Sequence, residues 1–395
     1  MQKRKKLSQY IDLFGLARRA ILLYLADFLC FLSRPQKPEG AKKKILLVRL
    51  DAIGDFILWL DAVKEIRNHF HSQEYSLTLL GNTLWTPFAE TLSYFDFVWG
   101  LDKNKFISSP LYRLKLLSKI RRSGFQVVIH PNYSREFSYG DAVVRISGSV
   151  ERIGFEGDCS CINPLAKRIS DKWYTRLVPS PELTLTELEK NAVFLRSLGL
   201  KSFKAGLPEL PRLDIPKQFY PKDFYVIFPG ASNKSKHWPI RRFQELVRLI
   251  YKETGWIGVI CGGPGEEPLG NEMIENAGST LINLAGRTSL IELVSILSHA
   301  RFLVSNDTCA VHIAAGVSTP SVCILGGGHY GRFLPYSLES ATKKPLPLVV
   351  SNKMDCFNCN WICIYSITEG EPFPCIASIS VDDVWEAVIR VLDKE

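Results

Sequence analysis

The sequence contains no apolar run that we expect to cross a lipid bilayer. The candidate, residues 20–32 (AILLYLADFLCFL), has thirteen residues. As a helix it would span about 20 Å, whereas the hydrocarbon core of a bilayer is about 30 Å thick. Asp27 lies in its middle, where lipid would be a costly environment. The following SRPQKPEG offers no small-x-small cleavage site, which argues against a signal peptide.

Two nucleotide-binding fingerprints are also missing. No GxGxxG follows the first predicted strand, so a nicotinamide-dependent dehydrogenase has little support, and no Walker spacing indicates a P-loop kinase or ATPase. A disulfide framework is not indicated either. The ten cysteines are scattered, and several lie inside apolar runs such as IGVICGG, which is typical of small core residues in a reducing compartment.

The excess of positive over negative charge is confined to the N-terminus. Residues 1–44 contain eleven Lys and Arg and three acids, a net charge of +8 out of +9 for the whole chain. The nearly neutral remainder predicts no nucleic-acid partner. A basic segment followed by an apolar helix is typical of a segment that lies on the anionic inner leaflet, and packing of this helix on the protein's own body is the alternative. We expect a cytoplasmic protein, peripheral on the inner face of the cytoplasmic membrane.

Apolar strands alternate with helical patterns along most of the chain. KKKILLVRL, YSLTLLG and FQVVIHP are strand candidates in the first half, and FYVIFPG, WIGVICGG and RFLVSND in the second. Strand–helix alternation predicts parallel sheets. We therefore predict an α/β fold with two doubly wound, Rossmann-like domains facing across a cleft. The predicted segments are a helical arm (1–42), a first domain (43–204), a linker (205–222), a second domain (223–380) and a closing helix (381–395).

Because ligands of such sheets bind beyond the carboxyl ends of the strands, the turns there are candidate sites. Gly54 and Asp55 follow the first strand at the start of a predicted helix. An aspartate at a helix start is commonly an N-cap, worth about 1 kcal/mol. A carboxylate at a strand end can also take a proton from a substrate hydroxyl. Both roles are open for Asp55.

A second turn, FPGASNKSKHWP, combines small residues with lysines. Gly230 allows close approach to the backbone, Ser232 supplies a hydroxyl, and Lys234 and Lys236 supply charge for a phosphate. A solvated basic turn is the alternative, but the combination favours phosphate.

The third turn, CGGPGEE, and the fourth, SNDTC, complete the set. Glu266 or Glu267 could hydrogen-bond ribose hydroxyls, or the third turn could be plain surface. In the fourth turn, Asp307 would hydrogen-bond sugar hydroxyls beside a diphosphate. The diphosphate itself would meet uncapped N–H groups at a helix start, those of Thr308, Cys309 and Ala310.

The segments KILLVRLDAIGD, PGASNKSKHWP, GGPGEE, NLAGRTSLIEL and VSNDTCAVHIAAGVSTP together resemble glycosyltransferase family 9, the ADP-heptose:lipopolysaccharide heptosyltransferase-like enzymes. They occur in collinear order from about residue 43 to the C-terminus. The resemblance implies the GT-B fold, with the acceptor bound by the N-terminal domain and the donor by the C-terminal one. It also implies an inverting transfer that requires no metal or other cofactor.

The resemblance assigns roles to individual residues. Asp55 matches the family's catalytic base, Lys236 its phosphate-contacting lysine and Ser232 its donor-loop hydroxyl. The remaining matches lie in the turn that binds sugar and diphosphate and on the helix after it: Asp307, Thr308, the backbone of Cys309, and His312. The chain departs from the family where Cys309 replaces a common glycine, and where the arm precedes the usual first strand.

The implied reaction moves a sugar from a nucleotide-diphospho-sugar to a lipopolysaccharide core or related glycolipid. ADP-heptose is the favoured donor by resemblance alone. The alternatives are a GT-B transferase with another donor and a non-catalytic, membrane-associated sugar-binding scaffold. Five arginines are candidates for an anionic acceptor, although solvated surface positions are the alternative for most of them: Arg121, Arg122, Arg135, Arg145 and Arg152.

Four cysteines near the C-terminus could hold a structural zinc ion. Cys356, Cys359, Cys363 and Cys375 lie within twenty residues and include one CxxC pair, but their spacing is not that of a standard finger. A reduced cluster that packs a loop is the alternative.

Overall fold

The computed structural model describes residues 21–33, 42–181, 185–211, 221–275, 280–340, 342–368 and 370–393. Two predicted segments lie partly outside these ranges: the arm 1–42, except for residues 21–33 and 42, and half of the linker 205–222, residues 212–220. The described residues form two compact units. The first takes residues from 1–52, 63–182 and 194–201, and the second from 53–62, 183–193 and 202–395.

The first unit contains a parallel six-stranded sheet in the order β3-β2-β1-β4-β5-β6. The central strand β1 is buried from Ile45 to Val48, as its near-continuous apolar sequence predicts. The strands are β1 Lys43–Arg49, β2 Tyr75–Asn82, β3 Phe97–Leu101, β4 Val127–His130, β5 Glu151–Phe155 and β6 Arg176–Val178.

The second unit repeats this design, with the order β12-β11-β10-β7-β8-β9. All five residues of its first strand, β7, are buried. In both sheets the first strand lies in the middle and the chain winds outward in both directions, which is the doubly wound arrangement that the sequence predicted. The strands are β7 Phe224–Phe228, β8 Ile257–Ile260, β9 Leu281–Asn283, β10 Leu303–Asn306, β11 Ser321–Ile324 and β12 Leu348–Val350.

Helices connect the strands. The first, α1, spans residues 21–31. The others are α2 Ile53–His69, α3 Thr86–Ala89, α4 Lys103–Ser108, α5 Pro110–Arg122, α6 Ala142–Ser147, α7 Pro164–Asp171, α8 Glu187–Ser197, α9 Ile240–Thr254, α10 Glu267–Glu275, α11 Leu290–His299, α12 Cys309–Val317, α13 Pro374–Ala377 and α14 Val381–Leu392, with a π-helical turn at Phe137–Asp141 and a 3-10 turn at Lys234–Lys236. Within the described ranges no helix is both long and apolar enough to span a bilayer.

Candidate active site

The winding of the second sheet reverses between β7 and β10, which are hydrogen-bonded neighbours. Ligands of doubly wound sheets bind beyond the carboxyl ends of the strands at this point. The turn after β7 and the turn after β10 therefore meet at one place. These are the second and fourth turns that the sequence singled out.

Asn306, the last residue of β10, joins these two turns. Its side chain is fully buried. Its Nδ2 donates to the Pro229 carbonyl at 2.6 Å, and its Oδ1 accepts from the Trp238 backbone N–H at 3.2 Å. Sequence reasoning missed this residue. The available signal was a polar amide at the end of an otherwise apolar strand, where burial requires that its hydrogen bonds be satisfied.

Lys236 lies in the 3-10 turn and is oriented by its neighbours. Its Nζ lies 3.4 Å from Ser232 Oγ and 4.1 Å from the centre of the Trp361 ring. Burial lowers the pKa of Lys236, and the nearby Asp307 carboxylate opposes this shift. Lys234, at the other end of the turn, is exposed. The two predicted lysines therefore differ, because Lys236 is partly buried and Lys234 is exposed. The structure also places Trp361 beside Lys236, a contact that no sequence pattern indicated.

The two glutamates of the third turn also have different positions. The Glu266 carboxylate occupies the space that a Cβ atom on Gly230 would need, and it accepts from the Gly263 N–H at 2.7 Å. Burial raises the pKa of Glu266, against the lowering effect of the Gly263 hydrogen bond. Glu267 instead packs against Gly286. Glu266 is therefore the glutamate that joins the turn after β7.

The fourth turn forms a helix start, but with one difference from the prediction. Thr308 is the N-cap of α12, and its Oγ1 accepts from the Ala310 N–H at 3.3 Å. The expectation of an uncapped Ala310 N–H was therefore wrong, because the threonine hydroxyl satisfies it. Burial raises the pKa of Asp307 to about 6, although Lys236 lowers it.

Asp307→Asn should stabilise the protein, increasingly so as pH rises from 3.8 to about 6. Because the folded pKa of Asp307 is about 6 against an ordinary 3.8, the folded state retains a proton between these values that the unfolded state has lost. The free energy of unfolding of the wild type therefore falls as pH rises through this window. We expect the variant to be more stable by about 2–3 kcal/mol at pH 7 and equal to wild type below pH 4. Denaturant titrations from pH 3.5 to 8 measure this, and a constant difference across the range would contradict it.

The start of α2 packs closely against the start of α12 at Gly54. A Cβ atom on Gly54 would lie 3.2 Å from Cδ2 of His312 and 3.8 Å from Cα of Cys309. Asp55, the next residue, belongs to the same compact unit as these two. The N-cap interpretation of Asp55 was wrong, because Ala52 is the N-cap and Asp55 is the third residue of the helix.

His312 is buried beside Gly54 and hydrogen-bonded to Tyr336. Its Nδ1 lies 2.7 Å from the Tyr336 hydroxyl oxygen. Burial lowers the pKa of His312 to about 4, so the imidazole is neutral near pH 7. Burial also raises the pKa of Tyr336 well above 10, so its hydroxyl keeps its proton. The tyrosine therefore fixes the orientation of a neutral ring at the start of α2.

Tyr336→Phe should lower turnover about five- to tenfold and leave donor affinity nearly unchanged. The reason is the loss of one hydrogen bond, worth about 1 kcal/mol, that orients His312. Steady-state kinetics and donor titration measure the two quantities. Tyr330→Phe, in the same segment, is the matched control and should behave as wild type. Equal losses in both variants would mean that Tyr336 has no specific role.

The family model for glycosyltransferase family 9 (heptosyltransferase) matches residues 113–345, more than half of the chain. The chain belongs to glycosyltransferase family 9.

Individual proteins similar to this family 9 chain either match only part of it or have low sequence identity to it. It is 31% identical over 103 residues to lipooligosaccharide heptosyltransferase 2 of Haemophilus influenzae, covering 25% of this chain and 30% of the relative. The chain thus matches less than a third of that protein's length. A family 9 glycosyl transferase structure from Veillonella parvula has a TM-score of 0.69 at 16% identity, with 89% of this chain and 98% of that one covered. An E. coli heptosyltransferase with ADP has a TM-score of 0.63 at 16% identity, with 88% and 99% covered. These structures confirm the predicted GT-B fold class.

The first unit of the family 9 chain has its own switch point, between β1 and β4. Asn132, just after β4, donates from Nδ2 to Asp51 Oδ2 at 2.9 Å. Asp51 follows β1 and is paired with the Arg49 guanidinium at 2.8 Å. Asn132 is buried, and its Oδ1 has no hydrogen-bond partner among the residues that the structure describes. Sequence reasoning missed both Asp51 and Asn132, although each lies two residues after the end of a strand.

A buried polar network supports the segment after β4. Tyr174 donates to Asp141 Oδ1 at 2.6 Å and lies 2.7 Å from His130 Nδ1. Arg135 pairs with Asp141 and Asp171. A solvated surface position is thus wrong for Arg135, which is 1% exposed. Of the five candidate arginines, Arg122 and Arg145 are exposed.

The cysteine segment packs onto the second unit through aromatic rings. Phe357 covers Gly327, and Trp361 covers Gly326 and Gly328 after β11. Cys375 is buried and accepts from the Gly327 N–H at 3.5 Å, while the other three cysteines are partly buried. Among the residues described, no three His, Cys, Asp or Glu side chains form a group that could hold a metal ion. Structural zinc stays a prediction.

Proposed function

We propose that this protein is an inverting, metal-independent glycosyltransferase that moves a sugar from a nucleotide-diphospho-sugar to a glycolipid hydroxyl. One observation carries the proposal. Gly54, which precedes Asp55 at the start of α2, packs against His312 and Cys309 of α12, the helix that follows the switch-point turn with Asp307. Lys236 lies near Asp307. The residues proposed as general base and phosphate-binding cation, Asp55 and Lys236, belong to the same compact unit as the start of α12.

The donor is held by groups of the second unit. The diphosphate lies at the start of α12, where the helix dipole and the backbone N–H groups of Thr308 and Cys309 favour an anion, and Lys236 neutralises its charge. Asp307 hydrogen-bonds sugar hydroxyls, and Glu266 the ribose. ADP-heptose is the favoured donor, because similar proteins are heptosyltransferases and one was solved with ADP.

The reaction is a single displacement at the anomeric carbon. Asp55 takes the proton from the acceptor hydroxyl while its oxygen forms the new glycosidic bond. The bond from the anomeric carbon to the diphosphate breaks on the opposite face, and the electron pair leaves on the nucleoside diphosphate. Configuration at the anomeric carbon is therefore inverted. General-base assistance of this kind contributes roughly 10²–10⁴-fold.

Charge on the leaving diphosphate is stabilised by Lys236 and the start of α12, groups that can replace a metal ion in this role. Turnover should therefore be unchanged after treatment with EDTA, as measured by nucleoside diphosphate release. A loss that Mg²⁺ restores would contradict metal independence.

The acceptor is proposed to be a lipopolysaccharide core or a related glycolipid, and the protein to act in the cytoplasm at the inner face of the cytoplasmic membrane. The carboxyl edge of the first sheet supplies polar groups for a sugar acceptor, because Asp51 and the unsatisfied Asn132 Oδ1 lie at its switch point.

A donor screen tests the proposed function. Nucleoside diphosphate release is measured with ADP-, GDP- and UDP-sugars, with and without a lipopolysaccharide-core acceptor. We expect acceptor-dependent release from ADP-heptose. Release only from GDP- or UDP-sugars would mean that ADP-heptose is not the donor, while the proposed type of reaction would stand. Donor binding without release would indicate the non-catalytic scaffold.

Structural zinc is tested separately by metal analysis of the purified protein. If the four cysteines bind zinc, the content should be near one ion per chain and should fall when Cys356 and Cys359 are changed to Ser. A content near zero ends this proposal and leaves a reduced cluster that packs a loop.

A further inference from the structure

Helix α1 presents its large apolar side chains outward. The stripe that faces the protein consists of Leu23, Ala26, Asp27 and Cys30, whereas Phe28 is 65% exposed. A helix on a water-facing surface has the opposite arrangement, with its bulky apolar residues toward the core. The α1 outer face, as we name it, comprises Ile21, Leu22, Tyr24, Leu25, Phe28, Leu29, Phe31 and Leu32, all exposed.

This orientation is fixed by buried polar contacts with the first unit. The Asp27 carboxylate accepts from Nε and Nη2 of Arg113 at 2.5 and 2.8 Å. Arg113 is 3% exposed and also donates to the Ser138 carbonyl at 2.9 Å. Arg121 donates to the Ser33 carbonyl at 2.8 Å, just beyond the helix. Rotation of α1 to bury its outer face would separate Asp27 from Arg113 and leave an unpaired buried charge, which is costly. The outer face therefore stays exposed.

Cations border the α1 outer face along α5. Lys115, Lys119 and Arg122 are exposed at a spacing that places them on one side of that helix. We call them the basic stripe. Together with Leu29, Leu32 and Leu114 they line a groove of about 760 Å³. The sequence before α1, residues 1–20, contains six Lys and Arg and one Asp.

We propose that the α1 outer face and the basic stripe dock the protein onto an anionic phospholipid bilayer. The apolar side chains enter the boundary between headgroups and acyl chains, the stripe contacts lipid phosphates, and the groove receives a headgroup. Apolar area combined with cations is the signature of interfacial binding to anionic lipid. A second copy of the chain is disfavoured, because a two-fold contact would bring one basic stripe close to the other.

This inference rests on the proposed function for its purpose, since it brings the enzyme to a glycolipid. It also resolves two alternatives that the sequence left open. The helix packs on the protein's own body through Asp27 and Cys30, and it keeps an apolar face available for lipid.

The test is co-sedimentation of the full chain with vesicles of phosphatidylcholine alone or mixed with phosphatidylglycerol. Wild type should bind the anionic vesicles, and less as salt is raised. Leu25→Ser, Phe28→Ser and Leu29→Ser combined should weaken binding about a hundredfold or more. Lys115→Gln, Lys119→Gln and Arg122→Gln combined should weaken it about a hundredfold.

The matched control changes exposed apolar residues of the second unit, Ile362→Ser and Ile364→Ser, and should bind as wild type. Circular dichroism and light scattering on every variant report folding and mass. Absence of vesicle binding by wild type, or binding that both triple variants retain, would overturn the proposal. A wild-type dimer that the apolar variant dissociates, with vesicle binding unchanged, would overturn it in favour of self-association.

Failure here is distinguishable from failure of the proposed function. The surface variants should release nucleoside diphosphate with a water-soluble acceptor at the wild-type rate, and Asp55→Asn should bind vesicles as wild type. Loss of release in the surface variants with that acceptor would contradict a purely docking role.

Discussion

Asp55→Asn should lower turnover by about 10²–10⁴-fold while donor affinity stays nearly intact. The amide cannot accept the proton of the acceptor hydroxyl, so the attacking oxygen remains a poor nucleophile. Donor binding should persist because the proposed donor groups, Lys236, Asp307 and Glu266, are unchanged. Single-turnover kinetics gives the rate, and calorimetric titration with ADP or the donor gives the affinity.

Two further variants test whether the loss of turnover is specific to Asp55. Asp61→Asn makes the same change on the same helix, six residues further along, and should retain wild-type turnover. Asp51→Asn tests the other carboxylate near the end of β1, which is engaged by Arg49 and Asn132. Unchanged turnover in Asp55→Asn would remove Asp55 from the mechanism. If Asp51→Asn then lost activity without unfolding, the base would be Asp51.

Lys236→Ala should be the second most damaging change, with kcat lower by about 10²–10³-fold, the range found when one preorganised donor to a developing charge is removed. The donor diphosphate is already anionic before the reaction, so the donor Kd should rise as well. This combination differs from the kcat-only effect expected of Asp55→Asn. Initial rates across donor concentrations, together with ADP titration, separate the two.

Lys234→Ala is the control for charge alone. Lys234 is exposed in the same 3-10 turn, whereas Lys236 is partly buried over Trp361 near Asp307. The loss of Lys234 should therefore change turnover and donor affinity only slightly. If both variants lose activity equally, the turn acts as a diffuse basic surface, and a specific phosphate contact by Lys236 is excluded.

Several features could be predicted because they depend on nearby residues. Apolar runs such as the one in β1 identified strands, and their alternation with helical patterns identified parallel sheets. The turns after β7 and β10 could be recognised because small, basic and N-capping residues follow a buried strand directly. Local reasoning failed where two interpretations share one pattern. Asp55 was consistent with an N-cap and with a base, and only the position of Ala52 excluded the N-cap.

The sequence by itself determined the fold class, the family and the turns that contain Asp55, Lys236 and Asp307, because strand period and turn chemistry are encoded over a few residues. Tertiary structure alone decided which of these residues meet. It placed Gly54 against His312, Lys236 over Trp361 and Asp27 on Arg113. Such pairs lie dozens to hundreds of residues apart, and their proximity depends on strand order and helix packing across the whole fold, which no local pattern records.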